Sequence, residues 1–176
     1  GAAAFRELAA RIASGSSVVF LSPEVFAQDN QPLAWLPLAQ KGQLATIRGW
    51  LYLKDEWAKR HAIFEGLPAG GLMDYDFYRE IIPDEVFKGQ EPPTEAVAGA
   101  NKASQDYDSG LLVAVYPLGQ GRMVLNTLHI RDNLATHPAA GHLLLNLLRF
   151  AATTTSQPPA PLPADFGNQL DALGYK

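Results

Sequence analysis

Cysteine is absent from this sequence, which excludes disulfide bonds, thiolate nucleophiles and cysteine-ligated metal sites. Long apolar runs are absent too: none approaches the about 20 residues that a membrane-spanning helix requires. Positive charge is scarce, because 14 Lys and Arg stand against 18 Asp and Glu, giving a net charge of −4. A nucleic-acid binder needs a basic face to neutralise phosphates, so we expect neither a nucleic-acid nor a membrane partner.

The composition is otherwise that of a globular protein. The chain has 176 residues, of which 47% are hydrophobic and 18% charged, and this suits one domain with a sizeable core. Residues 1–7 lack the basic start and apolar run of an export signal, so we expect none there. The histidines form no His-x-x-x-His or His-Glu-x-x-His pattern, so we predict no metal site and no cofactor.

The spacing of apolar residues predicts a helix at the start of the chain. Four of them lie on one face of that helix: Phe5, Leu8, Ala9 and Ile12. The next segment, Ser17–Leu21, is short, β-branched and apolar on both faces, which favours a buried strand of a mostly parallel sheet. A helix followed by such a strand is half of a βαβ unit, so we expect N-terminal strands of the sheet to be missing from this sequence. Thr46–Leu53 has the composition of a further strand.

The last third of the chain predicts a β-hairpin and a packing helix. Leu111–Tyr116 and Arg122–Leu128 are apolar strands joined by a glycine-rich turn. Pro138 is placed to begin a helix, whose buried stripe is predicted as Leu143, Leu144, Leu147, Leu148 and Ala151 and whose polar stripe is predicted as His142, Asn146 and Arg149. We assign residues 1–152 to an α/β domain and residues 153–176 to a Pro-rich linker with a short C-terminal segment.

Three passages carry a resemblance to a known group of domains. They are Gly15–Phe26, then His61–Pro68 with Leu72–Tyr75, and then Tyr116–Leu128 continuing through Asp132–Ala135 to Ala140–Asn146. The chain resembles the class I glutamine amidotransferase-like group, which includes trehalose-utilisation-like proteins and the β-galactosidase trimerisation domain. Within that group it is similar to the C-terminal domain of some bacterial family 2-type glycoside hydrolases.

The resemblance implies a fold and a setting. The fold would be a flavodoxin-like, three-layer α/β sandwich with a mostly parallel sheet. The partners would be other domains or subunits of a glycosidase, and carbohydrate. By analogy, the compartment would be periplasmic or secreted.

The resemblance also implies where a catalytic site would lie. Active members carry a cysteine nucleophile directly after a buried strand, and a histidine followed two residues later by glutamate. Ser22 stands at the nucleophile position and His129 at the base position, but Arg131 replaces the acid. Pro23 has no N–H, so the oxyanion donor expected there is missing. We therefore expect a non-catalytic accessory or oligomerisation domain, with glycoside hydrolysis carried by a separate domain of the parent enzyme.

A second candidate site lies in the acidic and aromatic segment around Asp74, Tyr75, Asp76 and Tyr78. Its carboxylates could serve a small hydrolase acting on sugars or amides, as the acid and base of a glycosidase do. Alternatively, its rings could stack on a pyranose in a sugar-binding module. A solvated acidic loop beside core aromatics is the third interpretation of the same residues.

Overall fold

The computed structural model describes residues 1–47, 54–103, 106–153, 162 and 164–175. The helices of this part of the chain are α1 (Ala2–Ala13), α2 (Tyr75–Tyr78), α3 (Pro138–Ala152) and α4 (Phe166–Ala172). Its strands are β1 (Ser17–Phe20), β2 (Gln43–Thr46), β3 (Asp55–Ala58), β4 (Gly71–Leu72), β5 (Glu85–Lys88), β6 (Glu95–Ala103), β7 (Tyr107–Leu118) and β8 (Gly121–Asn126). None of the described helices is both long and apolar enough to cross a bilayer.

The strands form one mixed sheet, in the order β1-β8-β7-β6-β3-β4, with β5 pairing both β7 and β2. Among the described strands, only β1 and β8 pair in parallel, and the other pairs are antiparallel. The prediction of a mostly parallel, flavodoxin-like sheet is therefore wrong. Strands β6, β7 and β8 follow one another closely in the sequence, and so short a connection joins only antiparallel neighbours.

Several sequence predictions are confirmed. The N-terminal helix, the strand after it, the β7–β8 hairpin and the helix beginning at Pro138 all form where expected. The predicted strand Thr46–Leu53 fits less well: β2 ends at Thr46, and residues 48–53 lie outside the described residues. Most of the predicted linker, residues 154–161 and 163, also lies outside them.

Successive residues of the central strands point to opposite sides of the sheet. Their apolar side chains therefore form one packed cluster on each face. On one face, Val113, Val115 and Val124 pack with Leu143 and Leu147 of α3. On the other face, a second cluster packs with α1 and the segment after β1; its members include Ile12, Phe20, Phe26, Ala114, Met123 and Leu125. Helix α4 lies against α1 through Phe166 and Leu170. The result is a layered α/β arrangement.

Helix α3 is rotated from the orientation that the sequence predicts. Leu148 belongs to the predicted buried stripe but is 54% exposed, whereas Asn146 of the predicted polar stripe is only 3% exposed. Asn146 is buried because its Nδ2 donates to the main-chain oxygens of Ile63 (3.2 Å) and Glu65 (2.9 Å). These bonds fix α3 against the 61–65 segment and turn Leu148 outward.

The C-terminal end of α1 rests directly on the β7–β8 turn. Gly119 has φ of 58°, which suits glycine in a two-residue hairpin loop. The next residue, Gln120, donates its main-chain N–H to Ala13 O at 2.9 Å. A Cβ atom on Gly121 would overlap the main-chain oxygens of Ile12 and Ser16. The glycine at 121 is therefore what permits helix and hairpin to approach this closely.

We predict that Gly121→Ala lowers the free energy of unfolding by about 2 kcal/mol, because main-chain atoms cannot move aside as side chains do. The matched control is Gly141→Ala on α3, where a Cβ meets nothing within 4 Å. That change should raise stability by about 0.5–1 kcal/mol through helix propensity. Urea denaturation of the three proteins measures both effects, and equal loss in both variants would contradict the close contact.

Candidate functional site

The ends of β1 and β8 are joined by one buried side chain, that of Asn126. Its Nδ2 donates to Leu21 O at 3.1 Å and to Leu128 O at 2.9 Å, and its Oδ1 accepts from Leu128 N at 3.2 Å. Asn126 is fully buried. Since the strands are parallel, the residues that follow them, Ser22 and His129, emerge at the same edge of the sheet.

Both residues line one small cleft. Its volume is about 80 Å³, well below the about 300 Å³ at which ligand pockets begin. Among the described residues, no hydrogen bond joins the Ser22 hydroxyl to the His129 ring. Ser22 Oγ instead accepts the N–H of Glu24 at 3.3 Å and caps the short 3₁₀ helix Pro23–Phe26. The two residues are therefore neighbours without the contact of a nucleophile and its base.

The backbone and the charges of this cleft also differ from those of a hydrolase. Ser22 has φ −151° and ψ 141°, an ordinary extended conformation rather than a strained nucleophile elbow. Arg131 is paired with Glu24 and with Asp132, each at 3.4 Å. His129 is exposed and donates its main-chain N–H to Ile81 O. The cleft thus holds a capping serine, an exposed imidazole and a compensated guanidinium.

The acidic and aromatic segment Asp74–Tyr78 forms the start and body of α2. Some of its side chains are exposed to solvent and one is buried in the core. Asp74 caps α2, its Oδ1 accepting the N–H of Phe77 at 3.1 Å. Tyr75 and Asp76 are exposed. Tyr78 is fully buried, and its hydroxyl donates to Pro68 O at 2.7 Å; burial, with a smaller contribution from Asp74, raises the pKa of Tyr78 to about 12. The Tyr78 ring is therefore a core residue that cannot stack on a ligand.

Tyr75 lines a larger cleft, of about 430 Å³, whose polar residues the sequence analysis missed. At its centre Lys54 Nζ lies 3.4 Å from Glu56 Oε1 and 3.6 Å from Asp84 Oδ1. The Lys54 ammonium also donates to Pro83 O. A signal existed in the sequence: alternation along β3 places Glu56 on the same face as the buried Ala58, where a charged residue is unusual.

Glu56 is a buried carboxyl group at the side of this cleft. It is 5% exposed, and its Oε1 has no hydrogen-bond partner among the described residues. Burial raises the pKa of Glu56, and the Lys54 ammonium opposes that rise without cancelling it. A buried carboxyl group whose pKa is raised, at the side of a cleft, is a candidate general acid.

Two of the histidines serve as helix caps. His61 Nδ1 accepts the N–H of Ile63 at 3.2 Å, while its Nε2 lies 3.0 Å from Glu95 Oε2. His137 Nδ1 likewise accepts the N–H of Ala139 at 3.2 Å. Within the ranges that the structure describes, no group of three or more His, Asp or Glu residues is arranged to hold a metal ion.

We predict that Asn126→Ala lowers the free energy of unfolding by about 2–3 kcal/mol, because the buried groups of Leu21 and Leu128 lose their partner. Asn133→Ala is the matched control: its Nδ2 also donates to two main-chain oxygens, of Glu80 and His129, but at a partly exposed position. Water can replace those bonds, so its cost should stay below about 1 kcal/mol. Chemical denaturation measures both; similar costs would contradict the role given to Asn126.

We predict that Glu56→Gln changes how stability depends on pH. The folded-state pKa of Glu56 is raised, so above about 4.5 the folded chain holds this proton more tightly than the unfolded chain. The free energy of unfolding of the wild type should therefore fall as pH rises from there through the raised pKa, and the neutral variant should lack this component. Thermal melts from pH 4 to 8 measure the difference, and parallel curves would show that the carboxyl is not perturbed.

Comparison with known proteins leaves the family open. The chain matches no protein-family model, and no curated protein is significantly similar to it. What the chain does must therefore be argued from the geometry of its own clefts and surfaces.

Proposed function

We propose that this chain is a non-catalytic accessory or oligomerisation domain of a carbohydrate-active enzyme, with glycoside hydrolysis carried elsewhere in the parent protein. One observation carries the non-catalytic part. Ser22, the residue at the nucleophile position, is an unstrained helix cap whose hydroxyl accepts an N–H from Glu24 instead of bonding to His129.

The surroundings of Ser22 support the same proposal. A tetrahedral intermediate on Ser22 Oγ would need a donor from the next residue, and Pro23 has no N–H to give. The Arg131 guanidinium is ion-paired with Glu24 and Asp132. A guanidinium cannot orient the His129 imidazole as a carboxylate does. The nucleophile, the oxyanion donor and the orienting acid are therefore each unsuited to acyl transfer.

The outer surface of α3 supports a packing role. Leu145 and Leu148 are 45% and 54% exposed, on the face of the helix opposite the buried Leu143 and Leu147. Gly141 lies one turn before Leu145 on the same side and leaves room for close approach. An amphipathic helix that presents a second apolar stripe suits contact with a sister domain or subunit.

A second candidate function is a small hydrolase acting on sugars or amides in the 430 Å³ cleft. The observation that favours it is the raised pKa of Glu56, which would let this carboxyl act as a general acid. Asp84, whose Oδ1 lies 3.6 Å from Lys54 Nζ, is another carboxylate of that cleft. Under this alternative Glu56→Gln abolishes turnover while the protein stays folded.

We expect no covalent labelling of Ser22 by a fluorophosphonate probe, because an unactivated hydroxyl does not attack phosphorus at a useful rate. Intact-protein mass spectrometry after long incubation provides the readout, with Ser22→Ala and His129→Ala as controls. A one-site adduct on the wild type that both variants lose would overturn the proposal.

The companion assay is turnover of chromogenic glycosides and of glutamine at high protein concentration, for the wild type, Ser22→Ala and Glu56→Gln. All three should be equally inactive. Turnover lost only in Ser22→Ala would indicate an active serine site, and turnover lost only in Glu56→Gln would indicate the acidic-cleft hydrolase.

A further inference from the structure

The sheet face that carries α1 is only partly covered by helix. Helix α1 packs against β7 and β8, while on the same face side chains of β3, β6 and β7 line an open groove of about 310 Å³. The segment Gly89–Pro93 forms one wall of this groove, including the rigid pair Pro92-Pro93. The volume falls within the range of small-ligand sites.

Trp57 provides an aromatic floor for the groove. It pairs with Gly99 on β6, and a Cβ on Gly99 would lie 2.5 Å from Trp57 Cζ2. The absence of that Cβ lets the indole lie down on the sheet backbone. Trp57 Nε1 donates to Asn101 Oδ1 at 3.2 Å, which fixes the ring across the strand. The sequence thus builds a flat, oriented indole at the surface.

A second ring and neutral polar groups lie along the same face. The pairs Asn101–Ser109 and Ala103–Tyr107 in the β6–β7 ladder bring Tyr107, Ser109 and Asn101 to the side occupied by Trp57. Tyr107 is 73% exposed although it is a large aromatic residue. The groove therefore alternates ring surface with amide and hydroxyl groups.

Two charged side chains at the groove already have partners within the chain. Lys88 Nζ lies 2.5 Å from Asp108 Oδ1. The carboxylate of Glu91 accepts the main-chain N–H of Gln40 at 2.8 Å. A charged ligand would have to compete with these contacts, whereas a neutral polar ligand would not.

Tyr116 supplies an independent sign that a polar partner belongs in this groove. It lines the groove and is 1% exposed, and its hydroxyl has no hydrogen-bond partner among the described residues. Burial and the nearby Glu91 raise the pKa of Tyr116 to about 12, so the O–H remains a donor at neutral pH. A buried hydroxyl without a partner is costly, and a ligand oxygen at the base of the groove would relieve that cost.

We propose that this groove binds a neutral oligosaccharide, with Trp57 and Tyr107 stacking on pyranose faces and Asn101, Ser109 and Tyr116 bonding to hydroxyl groups. Sugar rings present apolar C–H faces and neutral hydroxyl edges, which match a flat aromatic floor with amide and hydroxyl groups beside it. The inference rests on the proposed function in its choice of ligand class, since it gives the accessory domain a carbohydrate to hold.

The test is isothermal titration calorimetry of the whole chain against cello-, xylo-, manno- and galacto-oligosaccharides, from tetra- to hexasaccharides, with indole fluorescence as a second readout. We expect one series to bind and to change the fluorescence. Trp57→Ala should weaken that binding at least about tenfold, and Tyr107→Ala about threefold or more. Tyr107→Ala matters because Tyr107 is too exposed for its loss to unfold the protein.

Tyr75→Ala is the matched control, an exposed aromatic in the other cleft, and it should leave the affinity unchanged. No heat with any series would overturn the inference, and so would binding lost in Tyr75→Ala but kept in Trp57→Ala and Tyr107→Ala. The fluorophosphonate result is independent of these arms, so a failure of this inference is distinguishable from a failure of the proposed function.

Discussion

The carboxamide of Asn126 joins parts of the chain that are 105 residues apart, since Leu21 follows β1 near the N-terminus and Asn126 ends β8. These two strands are the parallel pair of an otherwise antiparallel described sheet. Two parallel strands need a long connection between them. In this chain the connection from β1 to β8 contains the other described strands, β2 to β7. Ser22 and His129, which directly follow these bonded segments, are positioned by this junction.

Local signals in the sequence predicted the local structure. The hairpin was found because its strands are apolar and its turn holds two glycines, and the start of α3 was found because Pro138 fits a first helical turn. Sheet direction was not found. Apolarity on both sides of Ser17–Leu21 reports burial, and burial is compatible with parallel and antiparallel neighbours alike. The direction was set by short connections elsewhere in the chain, which strand composition does not encode.

The candidate sites show the same division. The sequence indicated that Ser22 and His129 each follow a strand, but it could not show that the serine hydroxyl accepts the N–H of Glu24. Tyr75 and Tyr78 lie one turn apart with similar neighbours, and packing alone sends one to solvent and the other to Pro68 O. Glu56 was missed although strand alternation marked it, and the position of the Trp57 ring could not be predicted because it depends on Gly99 in a distant strand.

The Ser22 cleft, the Glu56 cleft and the Trp57 groove differ in volume and in charge, and these differences limit the ligands that each can hold. The Ser22 cleft, at about 80 Å³, is too small for a sugar or an amide side chain together with attacking groups. The Glu56 cleft has room, but a buried carboxyl and a near-buried ammonium favour proton transfer or a charged ligand over neutral recognition. The Trp57 groove has room, and its Lys88 is paired with Asp108. The Ser22 cleft lies at one sheet edge and the Trp57 groove on a sheet face, and no residue lines both. Substitutions at one should therefore leave the other intact, as independent sites require.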